Sequence, residues 1–259
     1  MRVVVKVGTS TLTHPTGCVN IRRTERLCKV ISDMMNAGVE VILVSSGAVG
    51  MGVGKLHLKE RPTELALKQA AAAVGQCELM YSYDRLFSSY NRTVAQLLLT
   101  APDLYEESRF VKFENTVERL LSLCVLPIIN ENDTVSTAEI EFGDNDTLAA
   151  EVAAHVRADL LVILSDIDGL YSADPRKDEN AHLIPEVREI TSEILALGGG
   201  GGTALSTGGM ATKLRAAEIV TAAGCDMIIA NGSDPLCLYD ILDGKAVGTR
   251  FYAKRRKED

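Results

Sequence analysis

Two lysines stand where lysine is costly, and each is next to glycines. Lys6 interrupts the apolar run 3–7, VVVKV, which reads as a buried strand running into the turn Gly8, Thr9, Ser10, Thr11. A buried strand carries an ammonium only if the side chain snorkels to an edge or aims at an anion, and the run leaves both readings open. Lys213 closes STGGMATK, a glycine-rich turn leading into a helix whose face is Met210, Leu214, Ala217 and Val220. A cation in the first turn opposes the helix dipole unless something anionic is nearby; otherwise the lysine swings into solvent. Between the lysines the chain places two clusters of acids and amides, Asn130, Glu131, Asn132, Asp133 and then Gly143, Asp144, Asn145, Asp146, Thr147. Alone, either cluster is explained by Asx turns and helix caps. Together, flanking a short hairpin predicted over 135–142, they are the chemistry to expect around a small charged substrate.

The elements that must hold these groups follow from periodicity. Residues 125–129 read as a buried strand, and Leu148, Val152 and Val156 as the face of the helix after the second cluster. Further strands are predicted at 39–44, 94–99, 160–164 and 227–230, and helices at 21–36, 236–242 and from about 103 through 121, with 101–103 as a turn. Residues 62–88 read as two helices broken near Gly75, with the stretch 73–76 (AVGQ) as a point of close packing. Strand 160–164 is apolar throughout, so both its faces must be covered and it must be central. In such α/β sheets ligands bind beyond the carboxyl ends of strands. Two more turns sit there. SSGAVG, with Ser46, follows strand 39–44 without the Walker A spacing and reads by itself as an ordinary tight turn or as an anion nest, while SDIDGLYSADPR, with Ser165 and Asp166, follows strand 160–164 and is either simple turn chemistry or a loop that can hold a purine and ribose. The five glycines 198–202 are expected to be disordered.

The chain has 259 residues, 46% of them hydrophobic, enough for one large α/β domain with perhaps two lobes. Its net charge of −8, from 27 Lys and Arg against 35 Asp and Glu, argues against nucleic acid or an anionic membrane as partner. No run reaches transmembrane length and no signal peptide opens the sequence, so a cytoplasmic protein is expected. The six cysteines lack CxxC spacing and are expected to be reduced and mostly buried, and the four histidines lack ligand spacing.

As a set, VKVGTS at Lys6, VSSGAV at Ser46, INEND at Asp133, GDND at Asn145 and Asp146, SDIDGLYSADPR, and STGGMATK at Lys213 resemble the glutamate 5-kinase branch of the amino acid kinase family. INEND followed by GDND separates that branch from the carbamate, aspartate, uridylate and N-acetylglutamate kinases. The resemblance runs along nearly the whole chain. It implies an α/β fold, an αβα three-layer sandwich around a mainly parallel sheet of about eight strands. Residues 1–259 would form a single domain, with an N-terminal lobe for the acceptor and a C-terminal lobe for ATP. Many members carry a further C-terminal PUA domain; this chain reads as a short form without it.

The implied reaction moves the γ-phosphoryl group of ATP to the side-chain carboxylate of L-glutamate, the first step of proline biosynthesis. By resemblance Lys6 and Lys213 bind the phosphates and steady the transferred group, Asp146 orients both lysines, and Gly8 and Gly209 bring backbone amides to the same charge. Ser46, Asp133 and Asn145 are the implied glutamate contacts. The implied ATP contacts are Lys6, Gly8, Ser165, Asp166, Thr207, Gly208, Gly209, Met210, Ala211, Thr212 and Lys213. Mg2+ is expected on the nucleotide phosphates largely through water, with no metal ligand identified among the residues. A homo-oligomer, dimer or tetramer, and inhibition by proline are expected on the same ground. The alternatives are another branch of the family, with N-acetylglutamate, aspartate or a nucleoside monophosphate as acceptor, and a nucleotide-binding sensor without turnover.

Overall fold

In the computed structural model the described residues are 1–14, 16, 18–135, 144–199 and 209–254. Among them eight strands form one sheet: β1 (Arg2–Val7), β2 (Glu40–Ser45), β3 (Val94–Leu99), β4 (Leu126–Glu131), β5 (Leu160–Ser165), β6 (Glu186–Val187), β7 (Asp226–Asn231) and β8 (Thr249–Phe251). Their order is β3-β4-β2-β1-β5-β7-β8-β6, and every pairing is parallel except that of β7 with β8. The helices are α1 (Thr9–Leu12), α2 (Ile21–Asn36), α3 (Ala48–Lys55), α4 (Leu65–Ser88), α5 (Ala101–Tyr105), α6 (Glu107–Ser122), α7 (Asn145–His155), α8 (Ser192–Ala196), α9 (Met210–Ala222) and α10 (Cys237–Leu242).

Alternation along the inner strands builds the three layers. Val3, Val5 and Val7 pack with Leu27 and Ile31 of α2 and with Leu79 and Tyr83 of α4, whereas Val4 packs on the opposite face with Val117 of α6, Leu148 and Val152 of α7 and Val220 of α9. Side chains alternate between faces with a period of two, so Lys6 shares the face of Val4 and lies under α7 and α9. Strand β1 is paired on both sides, to β2 and β5, so Lys6 is not on a sheet edge. The chain passes from β1 to β2, β4 and β3 on one side and to β5 and β7 on the other. The order therefore reverses at β1 and β5, where a parallel sheet opens a crevice beyond its carboxyl ends.

Several expectations are corrected. The helix α4 is continuous over 24 residues, with no break at Gly75. A Cβ at Gly75 would lie 1.8 Å from the Ala48 carbonyl oxygen, and one at Gly52 equally close to that of Ala71, so these glycines let α3 and α4 touch. Residues 101–105 are helical rather than a turn, because the Thr100 N–H donates to Asp103 Oδ2 at 2.7 Å and starts α5. The turn after β1 is itself the short helix α1. All six cysteines are free, but only Cys28 and Cys225 are buried; Cys77 faces outward on α4, and Cys124, also exposed, lies in the turn between α6 and β4. Positions 136–142 of the predicted hairpin, three of the five glycines (Gly200, Gly201, Gly202), the implied ATP contacts Thr207 and Gly208, and the chain from residue 255 lie outside the described residues. Among the described residues no helix is long and apolar enough to cross a membrane.

Candidate active site

Three helices begin at the carboxyl edge of the sheet without a side-chain cap. The N-caps of α1, α3 and α9 are Gly8, Gly47 and Gly209, none makes a side-chain cap hydrogen bond, and none of these helices has an acid in its first turn. Such ends leave amide N–H groups and a partial positive charge for an anion. Gly47 has φ of 112°, a left-handed backbone that favours glycine. The backbone makes no such demand at Gly8, where φ is −83°, and an added Cβ would meet only ordinary contacts, Lys6 Nζ at 3.8 Å and Leu164 O at 3.9 Å. What glycine preserves there is open space beside the Lys6 ammonium. Around Gly209 a Cβ would meet nothing within 4 Å.

Helix α7 starts differently. Asp144 is its N-cap and accepts from the Thr147 N–H at 2.9 Å, so for this one residue the capping explanation is the right one. The cap places Asn145 and Asp146 in the first turn, over the ends of β1 and β2. Asp146 is fully buried, and its two oxygens face two cations: Oδ1 is 2.6 Å from Lys6 Nζ in an ion pair, and Oδ2 accepts from Lys213 Nζ at 3.0 Å. Thr212 Oγ1 is 3.3 Å from the same Oδ2 and donates to Gly209 O at 2.7 Å. Burial alone would push the Asp146 carboxyl up, but the charges of Lys6 and Lys213 hold it below the ordinary carboxylate value. The anion that both lysines call for is thus inside the chain, and Lys213, 4% exposed, is not in solvent. Two ammonium groups on one carboxylate leave the cluster with net positive charge, directed at the uncapped helix ends.

One residue before Asp146, the chemistry changes from charge to amides. Asn145 Nδ2 donates to Ser46 Oγ at 2.8 Å and to Asn130 Oδ1 at 2.9 Å, with the Ser45 carbonyl at 3.3 Å. Asn130 Nδ2 donates in turn to Gln76 Oε1 at 3.0 Å, and both residues are buried. Ser45 is braced from beneath by Tyr83, their hydroxyls 2.9 Å apart. The predicted pair Ser46 and Asn145 is brought together, joining the loop after β2 to α7. Asp133, two residues beyond β4, is not in that contact set; it lines a small adjoining cavity with Ala48, Ala72 and Gln76. Gln76 is one residue that sequence reading missed, having served there only to mark close packing.

Ser165 and Asp166 line a second cavity, of about 150 Å³, with Ser10, Thr11, Arg23, Asn231 and Ser233. Its walls come from α1, from the ends of β5 and β7 and from the first turn of α2, so no contiguous motif could have announced Arg23 or Asn231. Met210, Ala211 and Thr212 form the first turn of α9 beside Lys213.

The sequence matches the amino acid kinase family model over residues 1–231. The glutamate 5-kinase of Clostridium acetobutylicum is 51% identical over 98% of this chain and 96% of its own, and that of Clostridium perfringens is 53% identical with the same coverage. The glutamate 5-kinase of Carboxydothermus hydrogenoformans is 54% identical over 99% of this chain, which spans 69% of that relative's length. Among solved structures, the fold is similar to T. acidophilum isopentenyl phosphate kinase (TM-score 0.68, 16% identity, 97% of this chain and 100% of that one) and to carbamate kinase from Giardia lamblia bound to AMP-PNP (TM-score 0.67, 22% identity, 98% of each). With a lysine pair closed on Asp146 and half of its residues shared with these relatives over nearly the whole chain, the chain belongs to the glutamate 5-kinase branch of the amino acid kinase family.

Proposed function

We propose that the protein transfers the γ-phosphoryl group of ATP to the side-chain carboxylate of L-glutamate, giving L-glutamyl 5-phosphate, the first step of proline biosynthesis. The observation that carries this reading is the adjacency of Asn145 and Asp146: one turn of α7 faces the lysine pair with one residue and the Ser46 amide network with the next. A phosphoryl donor at the lysines and an acceptor at the amides are then neighbours.

A glutamate carboxylate has a reference pKa of ~4.3 and is already a nucleophilic anion at neutral pH, so no strong general base is required. The barrier is repulsion between that anion and the polyphosphate. In this reading Lys6 and Lys213 supply the opposing charge, Asp146 keeps both ammoniums in place before substrate arrives, and the amides at Gly8 and Gly209 face the same oxygens. Catalysis is then positioning and charge stabilisation in an in-line transfer. The open space at Gly8 and the uncapped start of α9 fit a phosphate group. Mg2+ belongs with the nucleotide in this reading, held on the phosphate oxygens and largely through water.

Ser46, Asn145 and Asp133 on the N-terminal side take glutamate, and Ser165, Asp166 and the α9 start with Thr207 and Gly208 take ATP, which divides residues 1–259 into an acceptor lobe and a nucleotide lobe within one domain. A cytoplasmic dimer or tetramer belongs to the same reading and is checked by light scattering. The deciding experiment offers purified protein ATP, Mg2+ and each of L-glutamate, N-acetylglutamate, aspartate and UMP, following ADP release and trapping any acyl phosphate with hydroxylamine. Turnover is expected with glutamate. A product on another acceptor with none on glutamate, or nucleotide binding without ADP, overturns the proposal.

A further inference from the structure

The buried amides behind Asn145 have one self-consistent orientation, because backbone groups pin them at both ends. The Glu131 N–H can only donate, and it lies 2.9 Å from the Asn130 side chain, so that corner of Asn130 is its oxygen. The Asn130 nitrogen then faces Gln76, which must answer with Oε1 at 3.0 Å. Asn130 Oδ1 also lies 2.9 Å from Asn145 and can only accept, so Asn145 presents Nδ2. The Ser45 carbonyl, 3.3 Å from that same Nδ2, demands the same choice.

This orientation decides what the acceptor substrate meets. The two hydrogens of Asn145 Nδ2 are taken up by Asn130 and Ser46, with the Ser45 carbonyl sharing one of them at longer range, so the atom turned away from the network is Oδ1, a hydrogen-bond acceptor. Ser46 Oγ accepts from Asn145 at 2.8 Å and keeps its own hydrogen to donate. A substrate therefore finds an oxygen at Asn145, which suits an ammonium, and an O–H at Ser46, which suits a carboxylate. Gln76 closes the far end of the chain of amides by taking the Asn130 donor, and its place is fixed because α4 and α3 are in contact at the neighbouring Gly75.

We propose that Gln76 is a positioning residue for the acceptor site: through Asn130 it holds Asn145 with its oxygen towards the α-ammonium of the free amino acid and leaves Ser46 as donor to a substrate carboxylate. The proposal rests on the reading of the protein as a glutamate kinase. Removing the Gln76 oxygen strands the buried Asn130 nitrogen, which turns to find another acceptor and releases Asn145.

The test compares Gln76→Met, which keeps the length and loses the oxygen, with Gln76→Glu, which keeps an oxygen for Asn130. The readouts are the glutamate KM, the ATP KM, and the Ki of glutarate, the analogue with both carboxylates and no ammonium. Gln76→Met is expected to raise the glutamate KM roughly threefold to tenfold, the worth of one neutral hydrogen bond, with the ATP KM and glutarate Ki within about twofold of the parent. Gln76→Glu restores the oxygen but adds a negative charge to the cavity shared with Asp133, so its glutarate Ki is expected to rise while its glutamate KM stays below that of Gln76→Met. An unchanged glutamate KM in Gln76→Met, or a glutarate Ki that rises in step with it, overturns the proposal. If Gln76→Met does not fold, Gln76→Leu, which also lacks the oxygen and adds no charge, is measured in its place and read by the same criteria. If the parent enzyme itself makes no acyl phosphate from glutamate, the functional reading fails and this inference falls with it; parent activity with either adverse result above counts against Gln76 only.

Discussion

Lys6 and Lys213 stand on opposite oxygens of one carboxylate, at 2.6 and 3.0 Å, though one belongs to the first strand and the other to the first turn of α9. Neither position would carry a lysine for the sake of folding. Each is there at a cost that Asp146 offsets, and what remains is two oriented cations at the carboxyl edge of the sheet.

Lys213→Ala tests that orientation. The ammonium matters most when charge moves in the transition state, so kcat is expected to fall by two to three decades, ~2.7 to 4 kcal/mol, while the glutamate KM changes little. Lys6→Ala should behave in the same way. Steady-state kinetics with glutamate and ATP varied separately check both variants, and an unchanged kcat would remove that lysine from the chemistry.

Asp146→Asn should damage the fold as well as the rate. It leaves two buried ammoniums facing an uncharged amide, and breaking a buried pair in this way costs roughly 3–5 kcal/mol. The pH dependence has a definite sign. The folded Asp146 carboxyl lies below its unfolded value, near ~3.9, so its stabilisation is complete above that value and is lost as pH falls through the lowered folded one. Melting curves should therefore show a constant gap between parent and variant from neutral pH down to about pH 5, narrowing below about pH 4. A gap that closes near neutrality would assign the effect to another group.

Two glycines make opposite predictions. At Gly8 the backbone is extended and a methyl group fits, so Gly8→Ala should leave the melting temperature unchanged; the methyl occupies space beside Lys6 Nζ, and kcat/KM for ATP is expected to fall roughly ten- to a hundredfold. At Gly75 the methyl group would overlap the Ala48 carbonyl, so Gly75→Ala should destabilise by about 1–3 kcal/mol or more. Thermal denaturation alongside ATP titrations separates the two cases, and a destabilised Gly8→Ala with normal ATP kinetics would make Gly8 a structural residue.

The features legible in the sequence were those that violate a local rule. A lysine in an apolar strand and a lysine in a helix's first turn each require an anion, and both requirements are met by Asp146. The inner strands were legible because apolar runs of that kind need two covered faces. Gln76 was not, since its partner Asn130 comes from another element and the pair exists only after α4 crosses the end of β4. Gly75 misled for a related reason: a glycine that stops a helix and one that lets two helices touch look alike until the second helix is in place. Strands β6 and β8, two and three residues long, are too short to carry a period.

Asp133 carries the last prediction, because it decides what makes the site a glutamate site. Free glutamate has an ammonium that N-acetylglutamate lacks, and a pocket selecting the free amino acid needs negative charge near that nitrogen. Asp133 stands just past β4 in the wall of a cavity shared with Gln76, whose side chain is joined through Asn130 to Asn145. A purely structural Asp133 would shape the turn after β4, and Asn would do that nearly as well. Asp133→Asn separates the two roles, since it keeps the shape and removes the charge. Loss of a charge-assisted hydrogen bond should lower kcat/KM for glutamate by about ten- to a hundredfold, ~1.5 to 3 kcal/mol, with the ATP KM nearly unchanged. The Ki of glutarate, which brings no ammonium to the pocket, should hold or improve, because the variant also removes a negative charge from the neighbourhood of its carboxylates. Glutamate constants within about twofold of the parent would mean that Asp133 does not read the ammonium, and recognition of the free amino acid would then rest on the Asn145 oxygen instead.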